Sequence, residues 1–436
     1  MNIMKVANST KKMVTLFFSL FFLIPYAETN AIRETLTYVH PTGVGLLPSV
    51  IVLTLIMATL TLPLFIVSLG VSRSYASQRY MRRCFIAMSL FSILMLIRVF
   101  FTATPIKMLY QLVWVVIPFY FAIYLVSIIN RLDLDIERIH SNGLTVFTFY
   151  LIFNILVNIT RYGYSFGNSD PGAHSRLISP GGGPVILGYT IAIMLALLLF
   201  YQSEFKNGRF VFSFAVMVIT SFLTGSRGSM WPVVFLVILF LVDRRIIIRV
   251  GLVMILIGMF FINPLEFLRE QLPRFFNLLD VSRLTTASSI FEIFSFQLLF
   301  EMFFGKGLGT FFPYQEWLLA RMGSYGYVPN VFAYHSFSLL VQPHNSYIYL
   351  LIETGIIGTV LFCYPIFHSI KCALIEFSGK QSATYKYKVL AVILIAVLNL
   401  FDAVFIVAPG SATLWWFVLL SLTGCSKGFN DQTTHK

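Results

Sequence analysis

Runs of apolar residues separated by shorter polar stretches recur along this chain almost from end to end. They fall at about 13 to 27, 45 to 70, 84 to 101, 108 to 129, 143 to 159, 184 to 202, 210 to 224, 229 to 242, 246 to 262, 345 to 368, 387 to 406 and 411 to 424. A bilayer-spanning helix needs roughly 20 consecutive apolar residues, and most of the runs approach that length; the first, seventh and eighth are shorter. The pattern predicts an all-α polytopic membrane protein with about twelve transmembrane helices. Composition agrees, since only 11% of the residues are charged and mean hydropathy is +0.82, whereas a soluble domain carries roughly 25% charged residues.

Two stretches between runs are long. Residues 160 to 183, "TRYGYSFGNSDPGAHSRLISPGGG", are rich in Gly, Ser and Arg, and residues 263 to 344 exceed what a connection requires. Inside the second, "PLEFLREQLPRFFNLLDVSRL" mixes aromatic, aliphatic and Arg residues, as helices lying at a membrane interface do. "SSIFEIFSFQLLFEMFF" is apolar, but Glu292, Gln297 and Glu301 argue for an interfacial or re-entrant helix, which "GKGLG" (305 to 309) then breaks. The expected organisation is spans one to nine within 1–262, a large outer loop at 263–344, and spans ten to twelve with a polar tail in 345–436.

The net charge of +13 raises the question of nucleic acid, and its distribution answers against it. Cytoplasmic loops collect Lys and Arg. With the N-terminus inside, 20 of these residues fall on inner segments and 10 on outer ones, with Arg98 inside a helix. The excess is a topology signal that puts both termini in the cytoplasm. The first run follows two lysines, as in a signal peptide, but 27 to 35 has no clean small-x-small site, so an uncleaved first span is expected. Cys84, Cys363, Cys372 and Cys425 lie in or beside spans at spacings unlike a metal site or a disulfide framework.

The chemistry-bearing residues cluster on the outer side. "HNSYIYLLIETGIIG" (344 to 358) opens a span with His344 and Asn345, where unpaired helix N–H groups favour anions and a neutral histidine. Glu353 lies nine residues from His344, about 900° and ~13.5 Å along an unbroken helix, so it is not that histidine's direct partner. It reads either as a buried structural carboxylate or as a proton relay. Gly355 and Gly358 allow close helix approach. "TGSRGSM" puts Arg227 in a turn that needs Gly and Ser but no Arg, and an Arg at that depth requires a carboxylate, carbonyl or phosphate. "HSRLISPGGGP" places Arg176 before a glycine run, and "DVSRL" offers Arg283 near Asp280. Together these make an outer anion site, with shape-only roles for each residue as the alternative. No nucleotide-binding loop, paired-Cys metal site or Ser-His-Asp order is visible, so neither metal nor cofactor is expected.

These pieces in this order resemble the superfamily of O-antigen polymerases and O-antigen ligases, bacterial inner-membrane glycosyltransferases. The shared features are about twelve spans, the Ser-Arg-Gly turn in "GSRGS", a large outer loop with "SRL" and then "GKGLG", and His-Asn leading into Glu-x-Gly-x-x-Gly. The motifs cover some 40 residues, whereas the topology covers the chain. The resemblance implies a GT-C-like bundle, His344 as the catalytic residue, Arg176, Arg227 and Arg283 as pyrophosphate ligands, and Asn345 and Glu353 in support. It implies a polyprenyl-pyrophosphate-linked glycan as donor, a lipid-linked acceptor, the membrane lipid itself, and a chain-length regulator and repeat-unit flippase as partners. Two departures stand out. "LISPGGGPVILGY" follows Arg176 where many members read Asn-Pro-Asn, and "HSFSLLVQPHN" lacks the close second His associated with ligases. The second favours a polymerase over a ligase. A lipid or polysaccharide transporter is the non-enzymatic alternative, and it predicts charges deep in several spans and related halves.

Overall fold

A computed structural model describes residues 2–27, 49–69, 75–102, 105–162, 177, 183–244, 251, 299–309, 345–380, 384–402 and 404–424, and every regular element among them is helical. Arg79–Val99, Gln111–Arg131, Ile136–Thr160, Gly183–Phe200 and Ser346–Gly379 are each long and apolar enough to cross a membrane. Leu53–Pro63, Asn207–Leu223 and Gly228–Asp243 are shorter apolar helices. The chain is a membrane protein, and its described residues are all-α. The ninth expected span, apart from residue 251, and most of the loop 263 to 344 lie outside the described residues.

The helices are α1 (Asn2–Ser19), α2 (Ser49–Leu69), α3 (Tyr75–Val99), α4 (Pro105–Arg131), α5 (Ile136–Tyr162), α6 (Gly183–Phe200), α7 (Asn207–Leu223), α8 (Arg227–Arg244), α9 (Leu299–Phe304), α10 (Ser346–Lys380), α11 (Tyr385–Leu398), α12 (Val404–Val407) and α13 (Pro409–Gly424). Two differ from the hydropathy pattern. The first begins ahead of its apolar residues and tightens into a 3-10 segment, Leu20–Ala27, that contains Pro25. The eleventh run, expected as one span over 387 to 406, is instead two helices, because Asn399 turns its side chain onto the backbone around it. Its Nδ2 donates to the Ile395 carbonyl (2.7 Å) and its Oδ1 accepts from the Phe405 N–H (3.3 Å).

Two compact units make up the chain. The first comprises Met1–Leu23, Glu137–Asp280 and Ser382–Leu394. At its centre α6 is buried from Ile186 to Leu199 and packs on α7 and α8. A helix apolar all round suits that position. Gly188 lies against the Ser229 hydroxyl and Gly228 against the Tyr189 ring, so α6 and α8 approach at small residues. Arg209, at the start of α7, is satisfied within the unit: Nε donates to Thr145 Oγ1 (2.7 Å) and a terminal nitrogen to the Ser141 carbonyl (2.9 Å).

The second unit comprises Ile24–Ile136, Val281–Gln381 and Ile395–Lys436. Its core is aromatic, with Trp416 stacked on Phe405 (4.4 Å between centroids) and meeting Phe119 and Phe362 edge-on at 5.1 and 5.7 Å. Such pairs contribute beyond the area they bury. Here α13 lies on α4, α10 on α3, and α9 on α10. The Tyr80 hydroxyl ties three helices by pairing with Ser369 and Thr423 Oγ atoms, both at 2.6 Å. Cys84, Cys363 and Cys372 are buried, and none is in a disulfide among the described residues.

Candidate functional site

Asn followed by a small polar residue and an apolar run is a helix-start signal, and Asn345 serves as one. Its Oδ1 accepts the N–H groups of Tyr347 (2.9 Å) and Ile348 (3.1 Å), and its carbonyl takes that of Tyr349 (3.1 Å). The next residue fastens this start to the broken eleventh run. Ser346 donates its N–H to the Asn399 carbonyl (2.8 Å) and its hydroxyl to Asn399 Oδ1 (2.7 Å) and the Asp402 carbonyl (3.3 Å). Tyr347 adds a hydroxyl bond to the Ala396 carbonyl at 2.7 Å. His344 is outside the described residues, but the residue that follows it is held by its own side chain and by its neighbour's. The polar positions Asn399 and Asp402, inside an otherwise apolar run, were the available sequence signal for this joint.

Further along α10, Glu353 is fully buried. Its carboxylate accepts the Gly309 N–H at 2.8 Å, and its main-chain carbonyl accepts the Gly307 N–H, also at 2.8 Å. The Tyr349 hydroxyl, one turn earlier and buried, bonds the same carboxylate. Glu353 is therefore the docking point of the "GKGLG" turn, which meets it through the backbone N–H groups of Gly307 and Gly309. Burying a carboxylate without donors would be costly; charge-assisted bonds from backbone N–H groups offset that cost.

The helix breaks just beyond this contact. Gly355 has φ 69° and ψ −177°, a region open essentially to glycine alone. The break lets the α9 end and the turn come in against the backbone: a Cβ on Gly355 would run into the Gly305 nitrogen, and one on Gly305 into the Glu353 carbonyl. Gly305 itself, with φ 71°, closes α9 by donating to the Glu301 carbonyl (2.7 Å). At Gly358 an added Cβ would run into Thr354 of the same helix at 2.6 Å and meet Met95 of α3 only at an ordinary 3.5 Å.

In the other unit, Arg227 is the first residue of α8, after a turn in which Gly225 takes φ 57°. The Ser226 N–H donates to Thr224 Oγ1 (3.3 Å), and the Ser226 carbonyl accepts from Ser229. Leu177 is buried and donates its N–H to the Leu223 carbonyl at 3.0 Å, so the chain position next to Arg176 is fastened to the last turn of the helix that leads into Arg227. Arg176 and Arg283 lie outside the described residues, and Arg227 is described in its backbone alone. No protein-family model matches the chain, and no curated protein matches its sequence.

Proposed function

We propose that this protein is an O-antigen (surface polysaccharide) polymerase: a GT-C-like glycosyltransferase of about twelve spans in the bacterial inner membrane, with both termini cytoplasmic. It would move a glycan from a polyprenyl-pyrophosphate donor to a sugar hydroxyl of a second lipid-linked repeat unit at the periplasmic face. The observation that carries this reading is the bond from Gly309 to Glu353. It ties the "GKGLG" motif to the helical part of "HNSYIYLLIETGIIG", two of the motifs on which the resemblance rests.

In the proposed reaction the acceptor oxygen attacks the anomeric carbon of the donor glycan. The bond from that carbon to pyrophosphate breaks, the electron pair leaves with the lipid pyrophosphate, and the hydroxyl proton passes to His344. The barrier lies in deprotonation and in the charge growing on the leaving group. Arg176, Arg227 and Arg283 are the fixed, bidentate cations suited to that charge. The donor is already activated by its lipid, so no nucleotide sugar enters.

Deletion in the native strain tests the assignment. Loss of long polysaccharide with a single repeat still on the lipid A core is the polymerase result. Accumulation of long lipid-linked polymer would make it a ligase, and unchanged polysaccharide with altered lipid or sugar transport would overturn both.

A further inference from the structure

Arg98 sits in the last turn of α3 and is 8% exposed, yet its Nε has no hydrogen-bond partner among the described residues. Its neighbours are the Phe300 ring, 5.2 Å from Cζ to centroid, and the charge of Glu301. That carboxylate is already engaged by Lys306 at 3.3 Å. A buried guanidinium N–H with no acceptor is costly in an apolar setting, and the contrast with Arg209, whose Nε donates to Thr145, shows what a locally satisfied arginine looks like in this fold. The carbonyl end of α3 favours a cation, but no described carbonyl accepts from Nε.

The surroundings narrow the missing partner. Ile97, Phe100 and Phe101 of the α3 end and Leu299, Phe300 and Phe303 of α9 are all exposed apolar side chains, so the guanidinium is set among surfaces suited to hydrocarbon. From Arg79, in the basic group at the other end of α3, to Arg98 is about 28 Å at 1.5 Å per residue, close to the ~30 Å of a bilayer core. Arg98 is thus at the interface opposite that basic group. An anion that carries its own hydrocarbon and stops at the interface is a lipid phosphate.

We infer that Arg98 is a phosphate ligand for the isoprenoid-linked substrate, with the exposed apolar faces of α3 and α9 as the track for its prenyl tail. This rests on the glycosyltransferase reading above. It adds a residue from the second unit whose own geometry calls for an anion.

The test uses the purified full-length protein in phosphatidylcholine nanodiscs, with binding of geranylgeranyl pyrophosphate and of geranylgeraniol measured for the parent, Arg98→Gln and Arg98→Lys. Loss of charged hydrogen bonds predicts about 10- to 100-fold weaker pyrophosphate binding for Arg98→Gln, a smaller loss for Arg98→Lys, and unchanged uptake of the alcohol. Parental affinity in Arg98→Gln overturns the inference while leaving the polymerase reading standing. A parent that does not distinguish the pyrophosphate from the alcohol removes both. In nanodiscs containing phosphatidylglycerol, a change confined to retention of that phospholipid assigns Arg98 to a bilayer headgroup and overturns the substrate role. Should Arg98→Gln fail to fold, Arg98→Lys decides by the same comparison, parental affinity again being the overturning result.

Discussion

Gly309 donates its backbone N–H to the buried carboxylate of Glu353 across 2.8 Å and 44 residues of chain. The bond fastens the turn at 305 to 309 to the helix that His344 precedes, and it makes Glu353 an acceptor. Glu353→Gln keeps a carbonyl oxygen for Gly309 and should retain folding and most activity. Glu353→Ala leaves a buried N–H unsatisfied, at about 1–3 kcal/mol, and should lower both the thermal unfolding midpoint in detergent and polymer length in cells. If Gln and Ala variants lose activity alike while both remain folded, the carboxylate moves protons.

Gly355→Ala should be among the most damaging small substitutions in the chain. The backbone region alone costs about 1–3 kcal/mol for a non-glycine residue, and the added methyl collides with the Gly305 backbone. Gly208→Ala, where a Cβ meets nothing within 4 Å, is the control and should be neutral or slightly stabilising. Unfolding midpoints of the two purified variants check the contrast; equal values would mean the kink is not what holds the turn.

Removing the helix cap should have a moderate effect. Asn345→Ala loses an acceptor for two N–H groups and is expected to cost about 1 kcal/mol, whereas Asn345→Asp keeps the cap and should unfold like the parent. Urea or thermal denaturation followed by tryptophan fluorescence would report it.

Arg227→Lys and Arg283→Lys keep a positive charge and discard the planar fork. Each should suppress long polymer strongly while membrane levels of the protein stay near the parent's, read by polysaccharide gels and immunoblots of the same cells. Lys variants that polymerise normally would rule out bidentate recognition.

His344→Gln retains a hydrogen-bonding group without a proton acceptor. A general base is usually worth about 10²- to 10⁴-fold in rate, so turnover of the purified Gln variant should fall by that order, with donor binding intact. Near-parental turnover would show that His344 orients the acceptor and that another group takes the proton.

The helical, membrane-embedded character of the chain was legible from its apolar runs alone, because a lipid-spanning segment must bond its backbone internally and present hydrocarbon outward. Those are properties of single segments. The cap at Asn345 is equally local, an Asn before an apolar run, although the resemblance implies only a supporting role for that residue at the site. The break in the eleventh run was missed: the pattern predicts one span over 387 to 406, and the use of Asn399 and Asp402 as an anchor for Ser346 depended on a helix more than 50 residues away in sequence, the Ser346 to Asn399 separation being 53. Glu353 shows the limit most clearly. In sequence it was a carboxylate in an apolar run with two candidate roles, and nothing along the chain announced the donor that a glycine turn 44 residues upstream supplies. Arg98 likewise read as a lone charge in a span. That its Nε is buried without a partner among the described residues, beside Phe300 and near a Glu301 that pairs with Lys306, is visible only in the fold. Hydrophobicity is additive along a chain, so sequence reports it; hydrogen-bond satisfaction depends on which distant groups arrive within 3 Å, and tertiary packing alone decides that.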